Sequence, residues 1–325
     1  MHILVIGGAG MVGRKLIERL ARDGRLGGKP ITRITAHDVV TPKPPEAPFP
    51  IDTRVSDLSV PGEAAALVAD QPDVILHLAA IVSGEAEADF EKGYRINLDG
   101  TRHLFDAVRL IEGYTPRLVF TSSIAVFGAP FPEAIPDEYF HTPLTSYGTQ
   151  KAMGELLLAD YTRRGFFDGI GIRLPTICVR PGLPNKAASG FFSGIIREPL
   201  AGQEAILPVS EDVMHWHASP RSAVGFLIHA ATLDGASVGT RRNLTMPGLA
   251  VTVGEQIEAL RKVAGDKAVA RIRKVPDPVI ETIVSGWPRK FDAARATALG
   301  FKAEGSFEEI IRIHIEDELG GKIAD

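Results

Sequence analysis

A glycine-rich segment near the N-terminus, VIGGAGMVG, constrains the fold more than any other part of the sequence. It follows a short apolar run typical of a strand, and it opens a pattern in which Val12, Leu16 and Leu20 recur at helical spacing. A tight turn between strand and helix needs the conformational freedom of glycine, and a pyrophosphate can approach the backbone only where no Cβ intervenes. The helix N-terminus then offers unpaired N–H groups to the phosphates. The segment therefore predicts a dinucleotide-binding unit.

Two glycine registers fit this segment. Gly7, Gly10 and Gly13 give G-x-x-G-x-x-G, whereas a start at Gly8 gives G-x-G-x-x-G. The first register is favoured because the predicted strand ends at Ile6 and the turn then begins one residue later. We expect the cofactor phosphates to lie against Gly7, Gly10, Met11, Val12 and Gly13.

Strand and helix patterns alternate through the first half of the chain, and the strands are almost continuously apolar. This alternation predicts an α/β fold of the Rossmann type, a doubly wound parallel sheet with helices on both faces. Beyond Pro175 the alternation stops. We expect a dinucleotide-binding domain over residues 1–175, with elements returning to it from about 210–247. Residues 176–209 and 248–325 are expected to form a small C-terminal substrate-binding lobe.

An acidic residue ends the second long strand pattern, at the sheet edge where a dinucleotide would lie. The Asp38 carboxylate can accept hydrogen bonds from an adenosine ribose and would repel a 2′-phosphate. No arginine follows immediately, so we expect NAD, with NADP possible but less favoured. Residues at the ends of the later strands are expected to flank the cofactor: Asp57, Leu58, Leu78, Ala79, Ala80 and Pro175.

Composition argues against several classes of function. The formal net charge is −4, with 36 basic and 40 acidic residues, and the basic residues form no stripe that would suit a nucleic acid. The longest apolar run, VILHLAAIV, is too short to span a bilayer, and the N-terminus is unlike a signal peptide. The single cysteine, Cys178, suits a reducing compartment. We therefore expect a cytoplasmic protein that acts on a small molecule and binds neither membrane nor nucleic acid.

The segment SYGTQK places Tyr147 four residues before Lys151 at the start of a helical pattern, so both side chains share one helix face. The preceding strand, PRLVFTSS, ends with Ser123 at the same sheet edge. Tyrosine is a poor base at its ordinary pKa of about 10. A nearby ammonium and an oxidised nicotinamide ring would both lower the pKa of the phenol. The pattern therefore indicates proton removal from a substrate hydroxyl held by Ser123, with hydride transfer to the nicotinamide, which lies near Tyr147 and Lys151.

Four motifs, GGAGMVG, HLAA, TSS and YGTQK, occur in the order found in extended short-chain dehydrogenases/reductases, and roughly the first 180 residues resemble that superfamily. The resemblance implies that Ser123, Tyr147 and Lys151 are the catalytic set. It also implies that Asn97, in YRINLDGT, is a structural and proton-relay asparagine.

Members of this superfamily often dimerise through two long helices. The corresponding helical patterns in this sequence cover about 89–110 and 146–164. The resemblance therefore implies a homodimer that is held together by a four-helix bundle.

Two branches of the superfamily are alternatives. Nucleotide-sugar epimerases and dehydratases often carry R-D-[FW]-I-H-V-D-D before a late helix, but this chain has Pro220 and Arg221 where the two aspartates would be. Long stretches, among them HLAAIVSGEAEADF and RRGFFDGIGIRLPTICVRPG, resemble the D-erythronate dehydrogenases instead. That resemblance implies NAD-dependent oxidation of a four-carbon sugar acid at C2 to a 2-oxo acid. A nucleotide-sugar epimerase is the alternative, and an NAD-sensing binding protein without turnover is a weaker one.

A small hydroxy acid needs a cationic clamp for its carboxylate and polar partners for its hydroxyls. An arginine could hold the carboxylate through two hydrogen bonds and orient C2 toward the nicotinamide. Each candidate could equally be an ordinary surface or packing residue. The candidates for substrate contact are Ser83, Ser123, Thr176, Arg180, Asn185, His217 and Arg221.

The segment HWH, residues 215–217, has two histidines two positions apart on a predicted strand, which could suggest a metal site. No third ligand follows at a recognisable spacing, and the sequence has no H-E-x-x-H motif. We therefore expect no metal.

Overall fold

The computed structural model describes residues 1–182 and 188–324. Its strands are β1 His2–Ile6, β2 Arg25–Leu26, β3 Lys29–Pro30, β4 Arg33–Asp38, β5 Ile51–Val55, β6 Val74–His77, β7 Arg117–Ser123, β8 Asp168–Leu174, β9 Thr176–Ile177, β10 Ala205–Leu207, β11 Met214–Ala218, β12 Asn243–Thr245, β13 Leu249–Thr252 and β14 Ile272–Lys274. Its α-helices are α1 Met11–Asp23, α2 Glu63–Val68, α3 Ser83–Ala88, α4 Phe90–Gly93, α5 Gly100–Arg109, α6 Ser146–Arg163, α7 Gly190–Leu200, α8 Pro220–Thr232, α9 Gly235–Val238, α10 Val253–Ala264, α11 Asp266–Val269, α12 Pro278–Ser285, α13 Ala294–Ala298 and α14 Phe307–Leu319. A π-helical segment covers Tyr94–Asp99 and a 3-10 turn covers Ile124–Val126. Within these described ranges, no helix has the length and apolar character needed to cross a membrane.

Seven strands of the described chain form one parallel sheet in the order β12-β8-β7-β6-β1-β4-β5. The chain builds outward from β1 to β5 on one side and then crosses to β6 on the other. The carboxyl edge between β1 and β6 is therefore the topological switch point, where open α/β sheets bind their ligands. This arrangement confirms the predicted doubly wound parallel sheet.

The central strand β1 illustrates why its sequence is continuously apolar. Ile3 and Val5 pack into the core beneath α1 and α8, while Leu4 and Ile6 pack into the core beneath α2, α5 and α6. All four side chains are fully buried because alternate residues of a strand face opposite helical layers.

A smaller lobe consists of α7, α10, α11, α12 and α14 with the two-stranded sheet β10-β14, and it has its own apolar core. Phe192, Leu260 and Ile311 are central members of this core. A capping box fixes the start of α10, in which Thr252 accepts from the backbone of Glu255 and the Glu255 side chain accepts from the backbone of Thr252. A three-stranded sheet, β13-β11-β9, lies between this core and the cleft described below.

The structure adds three details to the sequence-based expectations. The continuous helix expected over about 89–110 is interrupted by the π-helical segment Tyr94–Asp99, a feature that is frequent at functional sites. Helices α7 and α12 lie beyond Pro175, where the alternation of strand and helix patterns stops. Pro278 is at the first position of α12, where a helix tolerates proline. Pro199 lies inside α7, where it removes one helical hydrogen bond, and the helix ends at the next residue.

Candidate active site

A cleft of about 430 Å³ opens at the carboxyl edge of the large sheet, beside the switch point. One side is formed by the turn after β1, by the ends of β6 and β7, and by the first turns of α6. The opposite side is formed by β9, β11 and residues 286–288. The structure brings these predicted site residues together around the cleft: Gly7, Gly10, Met11, Val12, Gly13, Leu78, Ala80, Ser83, Ser123, Tyr147, Lys151, Pro175, Thr176 and Arg180.

The glycine turn has the geometry of a phosphate cradle. Gly7 has a φ of +93°, and a Cβ there would lie 2.7 Å from the backbone nitrogen of Ala79. A Cβ on Gly13 would collide with the carbonyl oxygen of Gly7, so the helix can pack on the turn only without a side chain. Helix α1 begins at Met11 with no side-chain cap and no acidic residue in its first turn. Its N–H groups are therefore available to an anion such as a pyrophosphate.

The carboxylate of Asp38 lies beside this turn at the end of β4. Its Oδ2 accepts from the Ala9 N–H at 3.0 Å and its Oδ1 from the Val39 N–H at 2.7 Å. These contacts fix the carboxylate and leave it lone pairs that suit the hydroxyls of an adenosine ribose.

The other residues expected to flank the cofactor follow β5 and β6. Leu58 is buried, and Asp57 accepts from Arg95 at 2.9 Å, so this carboxylate already has a cationic partner. Ala79 donates its N–H to the Ile6 carbonyl at 3.0 Å, which ties the segment after β6 to the end of β1.

Three side chains converge at the centre of the cleft. Ser123 ends β7, and Tyr147 is the second residue of α6, whose first turn is capped by Thr145. Lys151 lies one turn further along the same face, almost fully buried, and its Nζ donates to the Thr121 carbonyl oxygen at 2.8 Å. The Lys151 Nζ is 5.8 Å from the centre of the Tyr147 ring.

Burial dominates the acid–base properties of this group. It raises the pKa of Tyr147 to about 12, although a hydrogen bond with Ser123 and the charge of Arg180 act in the opposite direction. Burial also lowers the pKa of Lys151 to about 8, against the raising effect of the Glu155 carboxylate. The lowered tyrosine pKa expected from the sequence therefore requires more positive charge, of the kind that an oxidised nicotinamide ring would bring.

Asn97 lies in the π-helical segment, is almost completely buried and does not line the cleft. Its Oδ1 accepts from the Ile81 N–H at 2.9 Å, and its Nδ2 donates to the Ile81 carbonyl at 3.2 Å and to Gln150 Oε1 at 2.8 Å. The amide thereby joins the segment after β6 to α6, behind the cleft.

Arg180 lies at the cleft wall next to Tyr147, half-buried and positioned through its backbone. Its N–H donates to Ser193 Oγ at 3.0 Å, and its carbonyl accepts from Arg197 Nη1 at 2.8 Å, both from α7. Among the described residues, the charges that act on Arg180 are those of Arg197 and Tyr147, and no carboxylate is among them. This cation is therefore suited to an anionic ligand.

Two predicted substrate residues lie elsewhere. Arg221 is on the exposed side of α8, where it pairs with Glu316 at 3.1 Å and with Asp317, so we drop it as a carboxylate clamp. His217 is fully buried within the smaller lobe, where its Nε2 meets Gln256 Nε2 at 2.9 Å and its ring packs edge-on against Phe192. A further candidate, Asn185, lies outside the described residues.

The cleft also contains residues that the sequence reasoning missed. His215 lines it, with Nε2 2.6 Å from Thr176 Oγ1 and Nδ1 2.8 Å from the Pro288 carbonyl oxygen. Trp287 lies against the His215 ring, with 5.3 Å between ring centres. The HWH motif was the available signal, but the sequence-based prediction of substrate contact used its second histidine, His217. In the described residues, no group of three or more His, Cys, Asp or Glu side chains could hold a metal ion.

A buried polar network supports the catalytic side and was also missed. Glu155 is fully buried on α6, one turn after Lys151. It accepts from Ser122 Oγ at 2.5 Å and from Arg173 Nη2 at 2.7 Å, and it lies 2.8 Å from His141 Nε2. The network joins α6 to β7 and β8, so it fixes the helix with Tyr147 relative to the strand that ends in Ser123.

Comparison with known proteins extends these observations. The model of the NAD dependent epimerase/dehydratase family matches residues 3–217, about two thirds of the chain. A D-erythronate dehydrogenase from Cupriavidus necator is 46% identical, with 98% of each chain covered. A second D-erythronate dehydrogenase, from Haemophilus influenzae, is 40% identical over 98% of this chain and 100% of its own.

A solved structure, described as the nucleoside-diphosphate-sugar epimerase from Agrobacterium tumefaciens, is 68% identical with a TM-score of 0.98. It covers 100% of this chain and 96% of its own. The dehydrogenase relatives confirm the prediction of an NAD-dependent oxidoreductase. Because the family model matches most of the chain and both dehydrogenases align over nearly its whole length, the chain belongs to the NAD dependent epimerase/dehydratase family.

Proposed function

We propose that this chain oxidises D-erythronate at C2 to the corresponding 2-oxo acid, 2-dehydro-D-erythronate, with NAD as the oxidant. The observation that carries the proposal is the position of Arg180 beside Tyr147 in one cleft. A guanidinium next to the base is the arrangement needed to hold the carboxylate of a 2-hydroxy acid with its C2 hydroxyl at the tyrosine. The names of the relatives from C. necator and H. influenzae support the same substrate.

In the proposed reaction, Arg180 binds the substrate carboxylate through charge-assisted hydrogen bonds. Ser123 positions the C2 hydroxyl, and Tyr147 Oη takes its proton. The charges of Lys151 and Arg180 stabilise the phenolate that must be present at that moment. NAD, when bound, accepts the hydride that leaves C2, so the balanced products are the 2-oxo acid, NADH and one proton.

The residues that would hold NAD follow the carboxyl edge of the sheet. The pyrophosphate would lie on the turn from Gly7 to Gly13 and on the N-terminus of α1, and the adenosine ribose would contact Asp38. Asp57 and Leu58 would flank the adenine. Leu78, Ala79, Ala80 and Pro175 would border the rest of the cofactor.

Two roles away from the reacting atoms complete the proposal. Asn97 would hold the segment after β6 in place through its two hydrogen bonds with Ile81. Ser83 and Thr176 would contact substrate hydroxyls, since both line the cleft.

A nucleotide-sugar epimerase is the second candidate, favoured by the name of the A. tumefaciens structure. Such a substrate brings a pyrophosphate and a second nucleotide into the cleft. Of the described residues that line it, only Lys151 and Arg180 are cationic, and Lys151 already donates to the Thr121 carbonyl. One available arginine suits a single carboxylate better than a pyrophosphate.

The test is NADH formation by the purified protein with D-erythronate, L-erythronate, D-threonate and L-threonate. NADP and a panel of UDP-sugars serve as parallel controls. We expect turnover of D-erythronate with NAD. Epimerisation of a UDP-sugar without net NADH would support the second candidate, and NAD binding without turnover of any compound would indicate a cofactor-sensing protein.

We also propose a cytoplasmic homodimer that assembles through the helical segments 89–110 and 146–164. Leu156, on α6, is 62% exposed, and Phe90, just before the π-helical segment, is 54% exposed. In the proposed dimer, the partner would cover both of these apolar side chains. Light scattering should give a dimer mass, and Leu156→Glu should give a monomer. A monomeric wild-type protein at micromolar concentration would refute the dimer.

A further inference from the structure

The tautomer of His215 can be deduced from its two partners. Burial lowers the pKa of this imidazole to about 4, so the ring is neutral at neutral pH and carries one N–H. The Pro288 carbonyl oxygen, 2.8 Å from Nδ1, can only accept a hydrogen bond. The proton must therefore be on Nδ1, and Nε2 must present a lone pair.

The tautomer determines the direction of the next hydrogen bond. Thr176 Oγ1 lies 2.6 Å from Nε2, and a lone pair on Nε2 requires the threonine hydroxyl to donate. A hydroxyl has only one hydrogen. With that hydrogen directed at His215, Thr176 Oγ1 can offer the cleft nothing but lone pairs.

The surroundings hold His215 in this orientation. Phe192 stacks on the ring with centres 5.2 Å apart and planes within 6°. Trp287 lies against it at 5.3 Å. The carbonyl that fixes the proton belongs to Pro288, the neighbour of that tryptophan, so the same segment supplies both the packing and the hydrogen bond.

We infer that His215 is a positioning residue that fixes the Thr176 hydroxyl as an acceptor, so that Thr176 binds a hydroxyl of the substrate and rejects its carboxylate. The inference rests on the proposed oxidation of a polyhydroxy acid. It assigns the two ends of the substrate, because a carboxylate has no hydrogen to give Thr176 but is complementary to Arg180. The hydroxyl bound at Thr176 is the one on C3 or C4.

The first test reads the tautomer directly in the NAD-loaded protein. Nitrogen NMR of the ¹⁵N-labelled wild type, with His215→Phe to identify the signals, should show a pyrrole-like Nδ1 and a pyridine-like Nε2. This pattern should persist between about pH 5 and pH 9, since the ring does not titrate there. A protonated Nε2 would overturn the inference whatever the activity.

The second test uses Thr176→Val, which keeps the shape of the side chain and removes the acceptor, with Thr176→Ser as the conservative control. With D-erythronate we expect Thr176→Val to lower kcat/KM about tenfold, as for one lost hydrogen bond, and Thr176→Ser to restore most of it. The 3-deoxy analogue, 2,4-dihydroxybutanoate, and the 4-deoxy analogue, 2,3-dihydroxybutanoate, distinguish the two hydroxyls. The variant should match the wild type within about twofold on whichever analogue lacks the bound hydroxyl.

An equal loss on D-erythronate and both analogues, or no loss on any, would overturn the inference while leaving the proposed function in place. If the wild type oxidises none of these acids, the proposed function fails and the hydroxyl assignment fails with it. In that case the NMR result still decides whether the Thr176 hydroxyl donates its hydrogen to His215. The two failures are therefore distinguishable.

Discussion

The two sides of the cleft are built in different ways. One side, the catalytic edge, is formed by consecutive elements of the large sheet and comprises Ser123, Tyr147 and Lys151. The opposite side, the substrate wall, collects distant segments and comprises Thr176, Arg180, His215, Trp287 and Pro288. The catalytic edge depends on local geometry, whereas in the wall 39 residues separate Thr176 from His215 and 73 separate His215 from Pro288.

We therefore expect the two sides to have different roles in the proposed reaction. In the proposed function, the catalytic edge can serve any alcohol that reaches it, because a strand end and one helix face are sufficient to align a hydroxyl, a phenol and an ammonium. In the same proposal, the substrate wall selects which alcohol is bound. Changes at the edge should therefore lower kcat for every substrate, and changes in the wall should alter KM and preference.

The largest effect is expected at the catalytic edge. Tyr147→Phe removes the group that takes the proton and should lower kcat for D-erythronate by at least about a thousandfold. NAD affinity and the unfolding midpoint should stay near wild type, since the ring is retained. A residual kcat above about a tenth of wild type would show that another group is the base.

The next effect concerns the network behind the edge. Burial alone would raise the pKa of Glu155, but Arg173 and His141 outweigh it and lower the pKa to about 2. Because the folded pKa is depressed, the carboxylate stabilises the fold above the ordinary glutamate pKa, and that contribution is lost as the pH falls through about 4.5 toward 2. Glu155→Gln leaves Arg173 without its buried partner and should lower the free energy of unfolding by about 3 kcal/mol at neutral pH.

Urea unfolding at several pH values measures this loss. The deficit of Glu155→Gln should shrink as the pH falls from about 4.5 toward 2, because the unfolded wild type takes up a proton on this carboxylate in that range while the folded protein keeps the charge. A deficit independent of pH would indicate a packing defect and not the loss of the carboxylate.

A smaller effect is expected in the substrate wall. Arg180→Gln should lower kcat/KM for D-erythronate by about 10- to 150-fold, mainly through KM, as for the loss of charged hydrogen bonds. Since the Arg180 charge lowers the pKa of Tyr147, the pH profile of oxidation should also move to higher pH in this variant. Arg221→Ala, on the outer surface, is the matched control and should stay within about twofold of wild type.

The smallest effect is expected at the far end of the cofactor site. Asp38→Asn keeps the shape and one acceptor oxygen but removes the charge that repels a 2′-phosphate. The ratio of kcat/KM with NAD to that with NADP should fall about tenfold. An unchanged ratio would mean that Asp38 does not contact the ribose.

The sequence was sufficient to predict the features of the fold and the site that follow from periodicity. Alternating patterns predicted the parallel sheet, and the spacing of Tyr147 and Lys151 placed both at one cleft. It was insufficient wherever distant segments meet. His215 and His217 lie on the same face of β11, and nothing in the sequence distinguishes them. In the structure, Pro288 and Trp287 contact His215, which lines the cleft, whereas His217 contacts Gln256 in the core of the smaller lobe.

Buried polar networks also could not be predicted from the sequence, because their members come from distant segments. Glu155 and Arg173 carry opposite charges on different elements, and nothing in their spacing indicates that they pair. Arg221 had a favourable sequence context for a substrate contact, yet α8 directs it to α14 because Glu316 and Asp317 lie there.

The most direct test of the account uses D-erythronate carrying deuterium at C2. Mass spectrometry of the NADH formed in a turnover experiment should find one deuterium in the nicotinamide, together with the 2-oxo acid as the product. Unlabelled NADH would mean that another carbon is oxidised. Recovery of the deuterated sugar acid without net formation of NADH would contradict the proposed dehydrogenase and favour the epimerase, the second candidate function.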